Sequence, residues 1–250
     1  MFSLQVRPSV RAASARPWVT LVQRSPRILS SNYSQQFQPH SYPVVTSLPK
    51  TCPSCGALLP TLLPVCPACN YIARVHSSIS FHEYFGLPYD PNPFILDTSL
   101  LRRRFLDSQK VSHPDAWATK DNDLRDAALD VSNAVNTAYK TLLTPLSRVE
   151  YILQRQGIET GEADQLEDLD LISEIMEVRE EIDNIQADYI GRLHSLESEN
   201  NIKIHNTLKI IEDLVAKREW DGVRTAAIRL KYLQGITNAI KSRLEFLDNA

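Results

Sequence analysis

Two clusters in this 250-residue chain combine chemically capable residues at meaningful spacing. All four cysteines fall in Cys52-Pro-Ser-Cys55-Gly56 and Cys66-Pro-Ala-Cys69-Asn70, with ten residues between the pairs. Two Cys-x-x-Cys turns can place four thiolates around one tetrahedral ion, and Gly56 and Asn70 suit the positive-φ backbone such knuckles require. A closed set of four cysteines is normally a structural zinc site. A segment of about 25 residues has no core of its own, so metal binding would supply its folding energy. A redox pair would not need the second Cys-x-x-Cys. An iron–sulfur cluster, also held by four cysteines, stays open as a rival.

The second cluster is Val111-Ser112-His113-Pro114-Asp115-Ala116-Trp117. Without a catalytic partner nearby, His113 and Asp115 read as a recognition patch. Pro114 pre-sets the loop, and Asp115 offers an acidic acceptor to a partner's Arg or Lys. The competing reading is that Asp115 caps the next helix. Arg102, Arg103, Arg104 and Lys110 precede the loop as a basic face, which by itself would be an ordinary solvated face.

The elements that must position these residues are helices. Thr98 is a good N-cap, with Asp97 before it, and Leu100/Leu101, Phe105, Leu106 and Gln109 then recur at helical spacing. Pro114 disfavours helical backbone at His113, so that helix stops there. The next runs from Asp121 to Leu143, its apolar side formed by Leu124, Ala127, Val131, Ala134/Val135, Ala138 and Leu142. After Pro145 a helix over Leu146–Gln156 ends at Gly157, and an acidic linker, Glu159–Asp168, follows. A long helix spans Asp170–Ser198 with a stripe of Leu171, Ile175, Val178, Ile182, Ile185, Tyr189, Leu193 and Leu196. A second covers Ile202–Glu219, and Trp220-Asp221-Gly222 makes a break. The last carries Val223, Ala226, Leu230, Leu233, Ile240, Leu244 and Leu247. Three such stripes bury against one another as an antiparallel bundle. Ile172 and Met176 lie roughly 100–140° off their stripe, and Tyr232 is off the stripe of the last helix. His76 and His82 read as surface or packing residues, and His40, His194 and His205 lack partners at any metal-ligand spacing.

A His-Pro-Asp loop between antiparallel helices resembles the J-domain, the module that stimulates DnaK-type chaperones. Phe81-His82-Glu83-Tyr84-Phe85-Gly86-Leu87 is similar to its short first helix, and Asn136–Leu142 to its third. Ile95-Leu96-Asp97-Thr98, Pro145-Leu146-Ser147-Arg148-Val149-Glu150-Tyr151 and Met176-Glu177-Val178-Arg179-Glu180-Glu181 resemble one branch, the HscB-type co-chaperones of iron–sulfur cluster assembly. Members of that branch in animals also carry an N-terminal tetracysteine segment. The resemblance covers about residues 80–248. It implies chaperone contact through His113, Pro114, Asp115, Arg103, Arg104 and Lys110. It also implies scaffold contact through Ile172, Met176, Glu177, Arg179, Glu180 and Tyr232, with Leu171 able to share that role. Two positions depart from the J-domain pattern: Ser112 stands where an aromatic is usual, and Ala116 where Lys is usual.

The expected architecture is all-α. A J-domain helical hairpin (80–156) and a C-terminal antiparallel three-helix bundle that binds the scaffold (165–248) follow a small four-cysteine zinc-binding segment (51–72). Residues 1–29, rich in Arg and Ser, have the composition of a mitochondrial transit peptide, and Arg27-Ile28-Leu29-Ser30 resembles a matrix-processing site cleaved after Leu29. The alternative is a basic N-terminus with no address. Residues 30–50 read as a flexible linker. The expected location is the mitochondrial matrix. The first 82 residues hold seven Lys or Arg and no acid, which leaves 20 of the 27 basic residues against all 30 acidic ones. That balance disfavours nucleic acid as the main partner of the helical part. A zinc-dependent nucleic-acid binder would still explain the clip and the basic start, and a J-protein with another client stays open. No apolar run approaches a membrane span. The expected partners are a heat-shock-70-class (DnaK-type) mitochondrial chaperone and the cluster scaffold, with structural zinc, no bound nucleotide and no covalent catalysis by the chain itself.

Overall fold

The computed structural model describes residues 42–159, 169–186 and 189–249. The transit peptide, the linker up to residue 41, His40 and the acidic stretch 160–168 lie outside these residues. Among the described residues there are seven helices: α1 (Phe81–Tyr84), α2 (Thr98–Ser112), α3 (Asn122–Leu143), α4 (Pro145–Arg155), α5 (Leu169–Asn184), α6 (Ile190–Lys217) and α7 (Trp220–Asp248). Among the described residues no helix is long and apolar enough to cross a membrane.

Local chemistry explains most helix ends. Ser80 and Glu83 form a reciprocal capping box that starts α1. The cap of α2 is Asp97 rather than Thr98: its carboxylate accepts from the Ser99 and Leu100 amides, both at 2.9 Å, and Thr98 is the first helical residue. Pro145 opens α4, and Gly157 takes φ +78° just past its end.

The rear of the chain departs from expectation. The long helix expected over 170–198 is two helices, because the chain breaks between α5 and α6. Arg243 on α7 covers the carbonyl freed there, its Nε and Nη2 donating to Ile185 O at 3.0 and 2.5 Å. Tyr189, placed in the stripe by periodicity, is 68% exposed. The polar run around Asn200 that reads as a break is mid-helix. Asn200 is buried, and its Nδ2 donates to Leu233 O and Thr237 Oγ1, both at 2.9 Å. Trp220-Asp221-Gly222 likewise lies inside α7, and the turn comes earlier, at Arg218 with φ +60°. Gly222 serves close approach instead: a Cβ there would sit 3.2 Å from Leu214 Cδ2.

Two cores result. One gathers α1 to α4 with the end of α6 and the first half of α7 (Ile211, Val215, Val223, Ala227, Leu230). The other is a three-helix bundle of α5, the start of α6 and the second half of α7. α6 and α7 fold back along each other and join the two. Arg148, 6% exposed, fastens the first core. Its guanidinium donates to Leu142 O (2.6 Å), Phe94 O (2.8 Å) and Leu143 O (3.3 Å), tying α4 to the end of α3 and to the loop before α2. Burial lowers its pKa to about 10.

The cysteine segment is less isolated than its length suggests. Its strands are β1 (Val44–Val45), β2 (Val65–Cys66), β3 (Tyr71–Ile72) and β4 (Arg74–Val75), with β1 parallel to β4 and β2 antiparallel to β3. Part of the expected linker is therefore a paired strand. The expected lack of a core is also overturned, since Leu63, Val65 and Ile72 are buried in the first core. Arg74 adds an ion pair to Asp130 of α3 at 2.5 Å.

Candidate functional site

The hairpin tip is held from below and open above. α2 ends at Ser112 because His113, preceding proline, takes extended backbone (φ −61°, ψ 133°). Residues Pro114–Trp117 make one 3₁₀ turn, and His113 Nδ1 accepts from the Asp115 amide at 3.3 Å. Trp117 is 3% exposed and donates its indole N–H to Val111 O at 2.9 Å, which anchors the far end of the turn. The Asp115 side chain is 93% exposed, with His113 Nδ1 at 3.6 Å. It does not cap α3, whose N-cap position is Asp121, so the capping reading is overturned. Ser112 is fully buried, with its hydroxyl donating to Ser108 O at 2.9 Å. A small side chain fits that packed seam, whereas Ala116 is exposed.

Beside the tip, Arg102, Arg103, Leu106, Lys110 and His113 line one open concavity on α2. Arg104 is exposed but does not line it, because it lies about 160° around the helix from Leu106 at the middle of the groove. Leu106, expected on the buried side, is 50% exposed amid the bases. Lys110 pairs with Asp107 at 3.0 Å, an exposed contact that a partner's acid can displace at little cost.

The second surface lies on α5 and α7. Ile172, Met176 and Arg179 follow one line of α5 at steps of four and three. Met176 is 66% exposed. Ile172 and Tyr232 are half-buried against the bundle core, so each shows one side to solvent. Leu171 is buried and belongs to the core. Glu177 and Glu180 are exposed and flank the line.

The third cluster is the cysteine ring. Sγ atoms of Cys52 and Cys69 are 3.5 Å apart, those of Cys55 and Cys66 are 3.8 Å apart, and all four lie within 4.8 Å of one another. Tetrahedral ligands at about 2.3 Å from an ion stand about 3.8 Å from each other, so the donors fit a metal ion. Gly56 (φ +73°) and Asn70 (φ +60°) turn the two knuckles as their residue types suggest. The hydrogen bond with Ala57 lowers the Cys55 pKa, but the three crowding thiols and burial outweigh it and push it to about 12. A bound cation would have to displace those protons.

His82, expected as a surface or packing residue, is buried packing, and Arg148 is the residue the sequence did not single out. His82 is fully buried, Nε2 meets Pro93 O at 2.9 Å, and Nδ1 finds no partner among the described residues. Arg148 reaches Phe94 O across 54 positions, a contact no local pattern signals.

Comparison with known proteins places these features in a class. Residues 167–241 match the family described as the HSCB C-terminal oligomerisation domain. The Photobacterium profundum protein named "Co-chaperone protein HscB homolog" is 33% identical over 168 residues, covering 65% of this chain and 95% of that one. A Vibrio parahaemolyticus protein of the same name is 35% identical over 164 residues, 64% and 93% of the two chains. Among solved structures, the chaperone HscB from Vibrio cholerae aligns with a TM-score of 0.61 at 32% identity, over 68% of this chain and 99% of its own. Human co-chaperone HscB aligns with a TM-score of 0.66 at 25% identity, over 77% and 98%. Fold and surfaces thus define a helical co-chaperone carrying a metal-competent cysteine ring. The chain belongs to the HscB co-chaperone family.

Proposed function

We propose that this protein is a co-chaperone of iron–sulfur cluster assembly in the mitochondrial matrix. It binds the cluster scaffold and delivers it to a DnaK-type chaperone whose ATPase it stimulates. His113, Pro114 and Asp115, with Arg103, Arg104 and Lys110, meet the chaperone. Ile172, Met176, Glu177, Arg179, Glu180 and Tyr232 meet the scaffold. The chain itself binds no nucleotide and makes or breaks no covalent bond. Holding both partners raises their effective concentration, and the chaperone's response follows from a state-dependent affinity for the tip. Cys52, Cys55, Cys66 and Cys69 hold zinc as a structural ion, and residues 1–29 are the cleaved presequence.

The observation that carries this reading is the pair of separate exposed surfaces on one frame. One is acidic at Asp115 beside a basic groove, and the other is apolar at Met176 and Tyr232. A pull-down from matrix extract recovers scaffold and chaperone together. Asp115→Asn keeps the fold and scaffold capture and loses ATPase stimulation in a single-turnover assay. Unchanged stimulation would refute the tip as the chaperone contact.

A further inference from the structure

Gly235 sits well inside α7 with ordinary right-handed backbone, a position where glycine weakens a helix and no turn calls for it. Its space is occupied by a charge. A Cβ on Gly235 would lie 2.8 Å from Nη2 of Arg179. The Arg179 side chain therefore crosses from α5 and rests its guanidinium on the bare backbone of α7. Tyr232 stands one turn before that point and Ala239 one turn after. Among the described residues the guanidinium has no ion-pair or hydrogen-bond partner. It shares its line of α5 with Ile172 and Met176, so a seated cation lies within an apolar patch.

We infer that Gly235 is a seat that fixes the Arg179 guanidinium to pair with one carboxylate of the scaffold protein, making specificity on this face. The inference rests on the reading of the α5–α7 face as the scaffold surface. A guanidinium laid on backbone has lost much of its rotamer freedom before a partner arrives, and its planar fork matches a carboxylate in two hydrogen bonds. Glu177 and Glu180 flank the same line and repel a partner that is acidic throughout. The matching surface is an apolar knob with a single acid in register with Arg179.

The test is Gly235→Ala in the full-length protein, titrated with purified iron–sulfur scaffold protein beside Arg179→Ala and the double variant. The added methyl displaces only the end of a flexible side chain and favours the helix. The expected result is a thermal midpoint at or above wild type with affinity roughly tenfold weaker. Arg179→Ala gives the same loss, and the double variant loses no more than either. Wild-type affinity for Gly235→Ala, additive losses in the double variant, or a lowered midpoint overturns the inference. Met176→Ala/Tyr232→Ala in the same titration separates this from the reading beneath it. If that pair loses affinity while Gly235→Ala keeps it, the seat alone is wrong; if both bind as wild type, the face is wrong and the seat falls with it.

Discussion

At the hairpin tip the exposed groups are polar and their anchors lie beneath. Asp115 stands in solvent while Trp117 and Ser112 are packed below, and His113 binds the turn's own backbone. On α5 and α7 the arrangement reverses. The outward groups are apolar, Ile172 and Tyr232 packed against the core and Met176 standing out beside them, with exposed charges flanking. A polar tip on rigid supports sets rate and orientation, and its interactions weaken as salt rises. A face continuous with a core gains most of its affinity from area removed from water, and salt bears on it chiefly through its one ion pair.

The contrast is broken most severely by loosening the first core at the base of the hairpin. Arg148→Ala leaves three carbonyls without their donor in the first core, and unfolding free energy should fall by about 3 kcal/mol. Hydrogen exchange should then rise in α4 and the end of α3 before it rises at Met176. Equal loosening of both regions would show that the cores do not behave separately. Met176→Ala/Tyr232→Ala strikes the other side. It should keep helicity and weaken scaffold binding on the order of 100-fold, about 2.7 kcal/mol, with ATPase stimulation intact. Loss of cooperative unfolding would mark these residues as core instead.

Chelation probes the cysteine ring in the same terms. Stripping metal should loosen Leu63, Val65 and Ile72, cost the first core roughly 2 kcal/mol and leave scaffold affinity unchanged. Because the Cys55 thiol without an ion titrates near 12, metal binding releases protons, so stripping becomes easier as pH falls. The smallest effect concerns His82. Burial holds its pKa below the usual 6.5, only partly opposed by the Pro93 carbonyl. The unfolded chain therefore binds a proton first, and stability declines as pH drops below 6.5. His82→Gln should flatten that decline in pH-dependent melts; an unchanged slope would assign it to other groups.

Legibility in the sequence followed the range of the interactions. The cysteine ring, the stop at His113, the α3 stripe and the Gly157 end were readable because spacing, proline and glycine act within a few residues. The break between α5 and α6 was hidden because apolar steps of four and three run through it in phase, from Ile182 and Ile185 to Leu193 and Leu196. Arg243, 58 positions from the carbonyl it covers, is what the stripe could not show. Asn200 misled in the opposite direction, since a polar residue mid-helix was satisfied by α7. The choice of Asp97 over Thr98 turned on which of two adequate caps the backbone aligned. The pairing of Val44–Val45 with Arg74–Val75 joins residues too far apart for a local signal. Leu106 fitted the helical repeat yet fell outside the buried arc.

α7 is 29 residues without interruption, about 43 Å at 1.5 Å per residue, and its two halves are the floors of different cores. Such a rod behaves as a caliper: whatever grips one end is held at a set span and angle from whatever rests near the other. The span between the two cores is therefore set by the helix itself and not by a flexible joint.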